Sequence, residues 1–219
     1  PHITRAIRLT GDGPGVTVIR RDENAVPFRL FKFQAPFVIQ GMTLKGGNTG
    51  RVYSSGGGAI LIETFGWTSV GGARLEATVK NVTFEDNHAR RGGALADSGF
   101  YFGPFVAFTV EDTVFTANVA MEEGGGIFVS PNSTLNLQRS RFADNDGGTW
   151  GGGVSTDSGS PVPMEVTATQ FLRNRATEYG GAIYATSPRV TRSEFRGNTL
   201  SNGRGGALFS YGGRPVIKD

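Results

Sequence analysis

Three carboxylates are the residues of this chain best placed to do chemistry: Glu63, Asp97 and Asp157 each follow a Gly-Gly pair at a similar distance. Acidic side chains at matched places in a repeating chain can stack into a column. Such a column could hold a hard cation or, with an Arg or Lys nearby, supply the acid and base of polysaccharide cleavage. Ser130 and Thr186 take the equivalent place in other repeats. Glu63 and Asp157 stand three repeats apart, about 14 Å at strand spacing. Solvated surface carboxylates are therefore the simpler reading, these three stay weak metal candidates, and no catalytic residue is assigned. Asp144-Asn145-Asp146-Gly147 opens like a calcium loop but lacks the closing Glu. His2 and His88 are isolated and cysteine is absent, which leaves no zinc set, no Ser–His pair and no thiol nucleophile. No cofactor is expected.

The elements that must carry these residues are legible as a repeat. One unit recurs as Phe84-x-x-Asn87, Phe115-x-x-Asn118, Phe142-x-x-Asn145, Phe171-x-x-Asn174 and Phe195-x-x-Asn198, with a looser copy at Leu44 to Asn48. After each comes a glycine pair, a small residue and an aliphatic one: Gly57-Gly58-Ala59-Ile60, Gly92-Gly93-Ala94-Leu95, Gly124-Gly125-Gly126-Ile127, Gly151-Gly152-Gly153-Val154, Gly180-Gly181-Ala182-Ile183 and Gly205-Gly206-Ala207-Leu208. The Phe positions are 24 to 31 residues apart, as expected for loops of different length between fixed strands. Ahead of each Phe, apolar residues such as Val79, Val110, Leu137, Val166 and Val190 alternate with polar ones, the period of strands. A unit of this size cannot bury its apolar face alone, so successive units must stack. The fold class predicted is all-β, a right-handed parallel β-helix of about seven to eight coils. The Phe residues form its inner stack and the Asn residues its side-chain ladder.

On the strand after each glycine corner, the residue beyond the aliphatic position points outward: Leu61, Ala96, Phe128, Ser155, Tyr184 and Phe209. Phe128, Tyr184 and Phe209 are thus the candidate binding residues, able to stack on sugar rings or on a neighbouring protein. The alternative is that loops such as 98–104 and 130–133 cover them. Asn132, in Asn132-Ser133-Thr134 on a turn-like loop, is a glycosylation candidate; Asn81 has the same pattern on a strand.

The paired Phe-x-x-Asn and Gly-Gly-Ala-Ile motifs resemble the passenger repeats of the chlamydial polymorphic outer membrane proteins and related bacterial extracellular β-helix proteins. The likeness runs from about Ile39 to the C-terminus. It implies an extracellular or cell-surface stalk, filament segment or adhesin without enzymatic activity. A carbohydrate-active β-helix enzyme or glycan-binding module is the alternative. Composition agrees with a folded object: glycine reaches 34 of 219 residues without a collagen period, and hydrophobic residues make up 37%. The charge of +3 is spread over mixed surface without a basic stripe, so no nucleic-acid partner is expected, and no apolar run is long enough for a transmembrane helix. The chain is expected to be a single β-helix domain over 1–219, with less regular coils in 1–40 and regular repeats in 41–219. It is further expected to be a segment of a longer β-helix, whose partners are other such segments or subunits end to end, and glycans or a host or neighbour surface protein.

Overall fold

A computed structural model describes residues 1–50, 56–64, 74–98, 105–159, 161–212 and 214–219. Every strand pairing in it is parallel, and the coils make a β-solenoid of about seven turns. One face is an eight-stranded sheet that takes one short strand from each coil, from His2–Ile3 and Phe31–Phe33 through Ile60–Ile62, Leu95–Asp97, Ile127–Val129, Val154–Thr156 and Ile183–Ala185 to Leu208–Ser210. A 13-stranded sheet supplies the other walls, built on Phe37–Lys45 and Leu75–Glu85 and continued by strands such as Val106–Glu111 and Val114–Thr116. Two small ladders, His88–Arg91 with Val119–Glu123 and Arg175–Ala176 with Thr199–Leu200, cover the side between the Asn turn and the glycine corner.

The register stacks like on like. Phe84, Phe115, Phe142, Phe171 and Phe195 pair in sequence, and their rings lie nearly parallel at centroid distances of 4.7, 4.4, 5.1 and 4.9 Å. Beside them run the aliphatic column Ile60, Leu95, Ile127, Val154, Ile183 and Leu208 and the column Val79, Val110, Leu137, Val166 and Val190. All but the last coil's members are fully or nearly fully buried. The period-two pattern of the sequence therefore sorts side chains between core and outside.

Each coil turns at residues in the left-handed region, and among the described residues ten of these are not glycine. Asp86, Ala117, Asp144 and Arg173 have φ between 51 and 58° and each precedes a ladder asparagine. Asp112, Arg139, Ala168 and Arg192 have φ between 45 and 50° and each precedes a hydroxyl residue. A non-glycine residue in that region costs about 1–2 kcal/mol, so the neighbouring bonds must hold it there.

They do so in two polar ladders. Asn87, Asn118, Asn145 and Asn174 are fully buried; the Oδ1 of each of the last three accepts both the backbone N–H and the side-chain N–H of the preceding coil's asparagine, and that of Asn87 accepts the Gly47 backbone N–H. Each also donates Nδ2–H to a backbone carbonyl, Leu44, Phe84, Phe115 and Phe142 in turn. The second ladder runs through Thr113, Ser140, Thr169 and Ser193. There each hydroxyl donates to the carbonyl two residues before it, while the Ser140, Thr169 and Ser193 hydroxyls accept the N–H of the residue one coil earlier. The sequence shows these residues only as small β-formers; their ladder emerges from the corner geometry.

Candidate functional site

The lateral seam over the glycine corner gathers the aromatic and ionisable side chains that the core does not use. The residues just before each glycine pair, Gly56, Arg91, Glu123, Trp150, Tyr179 and Arg204, stack by parallel bridges from coil to coil. Five residues later in each coil stands the outward position of the next strand, Leu61, Ala96, Phe128, Ser155, Tyr184 or Phe209. The glycine pair folds the chain back so tightly that the first column packs over the second. A Cβ at Gly93, Gly125, Gly152 or Gly181 would lie 2.2–2.3 Å from a carbonyl oxygen of the next coil, which is why that corner takes glycine.

This packing corrects the expectation of an exposed aromatic face. Phe128 and Tyr184 are only 3% and 4% exposed, and Leu61, Ala96 and Phe128 form a second small apolar cluster outside the main core. The Arg91 guanidinium lies 5.2 Å from the Phe128 ring centroid. Tyr184 is sandwiched between Trp150 at 5.2 Å and Phe209 at 5.8 Å, and Tyr179 packs on Phe209 at 4.6 Å. Phe209 and Tyr179 are half-buried, and Tyr211 stands 54% exposed. Of the covering loops expected, 99–104 lie outside the described residues. The Ser130–Ser133 turn instead serves Asp97. The signal in the sequence was the column of long side chains just before the glycine pairs, Arg91, Glu123, Trp150 and Tyr179, each of which packs on the outward residue of the following coil.

The three candidate carboxylates go to three different surroundings. Glu63 is half-buried and held by Lys32 at 2.8 Å and by the Gln34 amide at 2.6 Å. Asp97 does not share its column: it pairs with Ile62, inside the solenoid. There Asp97 is buried and accepts bonds from the Ser130 N–H at 2.7 Å and from the Ser130 and Ser133 hydroxyls at 2.6 Å. Burial pushes its carboxyl above the usual range, with those hydrogen bonds pulling the other way. Asp157 accepts the Gly159 N–H at 2.7 Å in a local turn. Among the described residues no three His, Asp or Glu side chains gather as a metal set would require. In the loop that opens like a calcium site, Asp144 pairs with Arg173 at 2.8 Å, Asp146 with Arg175 at 2.8 Å, and Asn145 belongs to its ladder. His88 contacts Asp86 at 3.0 Å. Asn132 sits in the left-handed region at φ 64°, half-buried in the Ser130–Ser133 turn.

Sequence reasoning missed Glu123. Glu123 is 5% exposed, and its carboxylate faces Arg91 Nη2 at 3.3 Å and accepts from the Ser155 hydroxyl at 3.3 Å. Burial is the main cause that pushes it up to about 7, against the pull of Arg91. Glu122, next to it, pairs instead with Arg90 at 2.7 Å and lies 3.5 Å from Arg91. On another face, an open groove of about 810 Å³ runs past Asp112, Arg139, Arg141, Ala168, Arg192 and Glu194. Arg139 there is gripped by Asp112 through two bonds of 2.8 and 3.2 Å. Charges of both signs line the groove, so it carries no strong field.

The profile of the family described as Right handed beta helix region matches residues 31–219. Over 115 residues the chain is 33% identical to the Probable autotransporter YfaL of Escherichia coli (strain K12). That stretch takes in 49% of this chain but only 9% of the relative, so the chain spans a small part of the length of the protein it matches. No solved structure gives a significant match.

Proposed function

The chain belongs to the right-handed β-helix family, and from that premise we propose that it is a surface-displayed passenger segment, a non-enzymatic stalk or adhesin scaffold. One observation carries the reading. The side chains that make the repeat recognisable are consumed by unbroken axial ladders, and the carboxylates that remain are dispersed or engaged by neighbours. Such a molecule is suited to holding a surface at a fixed distance and orientation, with loops and seam edges left for contact. The likeness to a probable autotransporter supports an extracellular or cell-surface place for it. So does the resemblance of its repeats to chlamydial passenger repeats. In this reading the contact surface is the rim of the seam, where Tyr179 and Phe209 are half-buried and Tyr211 is exposed. Its ligand is a glycan or a neighbouring surface protein.

Display of residues 1–219 on a bacterial outer-membrane translocator tests this. The segment should be reached by protease on intact cells and should raise attachment to glycan- or protein-coated surfaces above that of the translocator alone. Absence of the segment from the surface would remove the passenger reading, and unchanged attachment would remove the adhesive one.

A further inference from the structure

In the lateral seam one acidic side chain is shut away from water while every other rung is aromatic, basic or glycine: Gly56, Arg91, Glu123, Trp150, Tyr179 and Arg204. We propose that Glu123 is a proton-operated latch, which closes the seam over Phe128 and Ser155 when neutral and loosens it when ionised.

The surroundings of Glu123 are mixed in a way that makes its charge state matter. From the strand below comes Arg91, 3.3 Å away, whose guanidinium also lies over Phe128 and within 3.5 Å of Glu122. From its own strand comes Glu122, which is itself held by Arg90 and repels a second negative charge. From the strand of Val154–Thr156 come the Ser155 hydroxyl at 3.3 Å and, just beyond that strand, Asp157, again a like charge. Trp150 forms the rung above, its indole stacked on Tyr184, and the Tyr184 phenol feels the Glu123 charge. Arg90 serves Glu122, so Glu123 has only a share of Arg91 and one neutral hydroxyl, with Glu122 and Asp157 repelling its charge in a nearly water-free place. A buried carboxylate without full compensation favours its neutral form.

The sign follows directly. Glu123 is raised to about 7 in the folded chain from an ordinary value near 4.5. The folded state therefore binds the proton more tightly than the unfolded one. Its stabilising effect is complete below about pH 4.5 and is lost as the pH rises to about 7. Above that, Glu123 is ionised in both states and the effect is flat. On protonation the acid remains a neutral partner of Ser155, and Arg91 keeps Glu122 as its counter-ion. The device is thus local and reversible, and it needs no ligand.

Trp150 is the natural reporter, because it is the next rung and the chain has only one other tryptophan, Trp67. In a Trp67→Phe background, Trp150 emission should titrate with a midpoint near pH 7, and adding Glu123→Gln should abolish that titration. In parallel, the melting temperature of the otherwise unaltered chain should fall by several degrees between pH 5 and pH 8, and Glu123→Gln should remove most of that fall. The melting comparison stands even if Trp67→Phe does not fold. Asp97 is raised by burial too, so Asp97→Asn is the necessary control. A Trp150 titration unaffected by Glu123→Gln, or a pH dependence of melting removed by Asp97→Asn and not by Glu123→Gln, would overturn the proposal.

Discussion

A methyl group added at Gly125 would lie 2.3 Å from the Gly152 carbonyl oxygen and 2.6 Å from that of Asp146, both backbone atoms of the next coil. Nothing lies within 4 Å of the same methyl at Gly206, which holds the same place in the last coil's glycine pair and whose φ is not in the left-handed region. Gly125→Ala is therefore expected to destabilise residues 1–219 by about 3 kcal/mol or to prevent folding, and Gly206→Ala to stay within about 0.5 kcal/mol. Urea unfolding of the two variants measures the difference; equal effects would mean that the corner is not set by contact between coils. At this scale the glycine pair, the phenylalanines and the asparagines were legible, because each repeats at a fixed offset. Asp97 was grouped with Glu63 and Asp157 although it stands one position earlier in its strand, and one position exchanges outside for inside. Glu123 escaped notice because its rung holds Arg, Trp, Tyr and Gly in other coils, and no pattern of residue type marks it.

Between coils, the asparagine and hydroxyl ladders do what a single residue cannot. They satisfy the buried polar groups of corners that would otherwise spring out of the left-handed region. Removing the amide in Asn145→Ala takes the acceptor from the Asn118 backbone and side-chain N–H groups, and the donor from the Phe115 carbonyl and the Asn174 Oδ1. The cost should be about 2–4 kcal/mol, since buried partners are left unpaired. Asn198→Ala, at the half-buried last rung, should cost visibly less in the same chemical-denaturation experiment. The asparagine ladder was readable because its residue type never varies in the regular coils. The hydroxyl ladder was hidden: it alternates Thr with Ser, and at Val82 an apolar residue takes the corresponding place. The seam's double layer was hidden for another reason. Its two columns belong to different strands and meet only because the glycine corner closes so sharply.

Taken whole, the chain is nearly one-dimensional: each coil contacts its neighbours, and the motifs that name the architecture point along the axis or into the core. The architecture was therefore legible almost throughout. The contact surface was not, because an exposed aromatic in a strand pattern looks the same as one covered by the pre-glycine residue of the preceding coil. The central proposal is that this segment is scaffold and not catalyst. Its plainest test is release of new chain ends from a panel of neutral and acidic polysaccharides, followed with the folded residues 1–219 and a heat-denatured control. The account predicts no release above the control on any member of the panel. Sustained release by the folded chain, abolished by Glu123→Gln or Asp157→Asn without loss of folding, would contradict it.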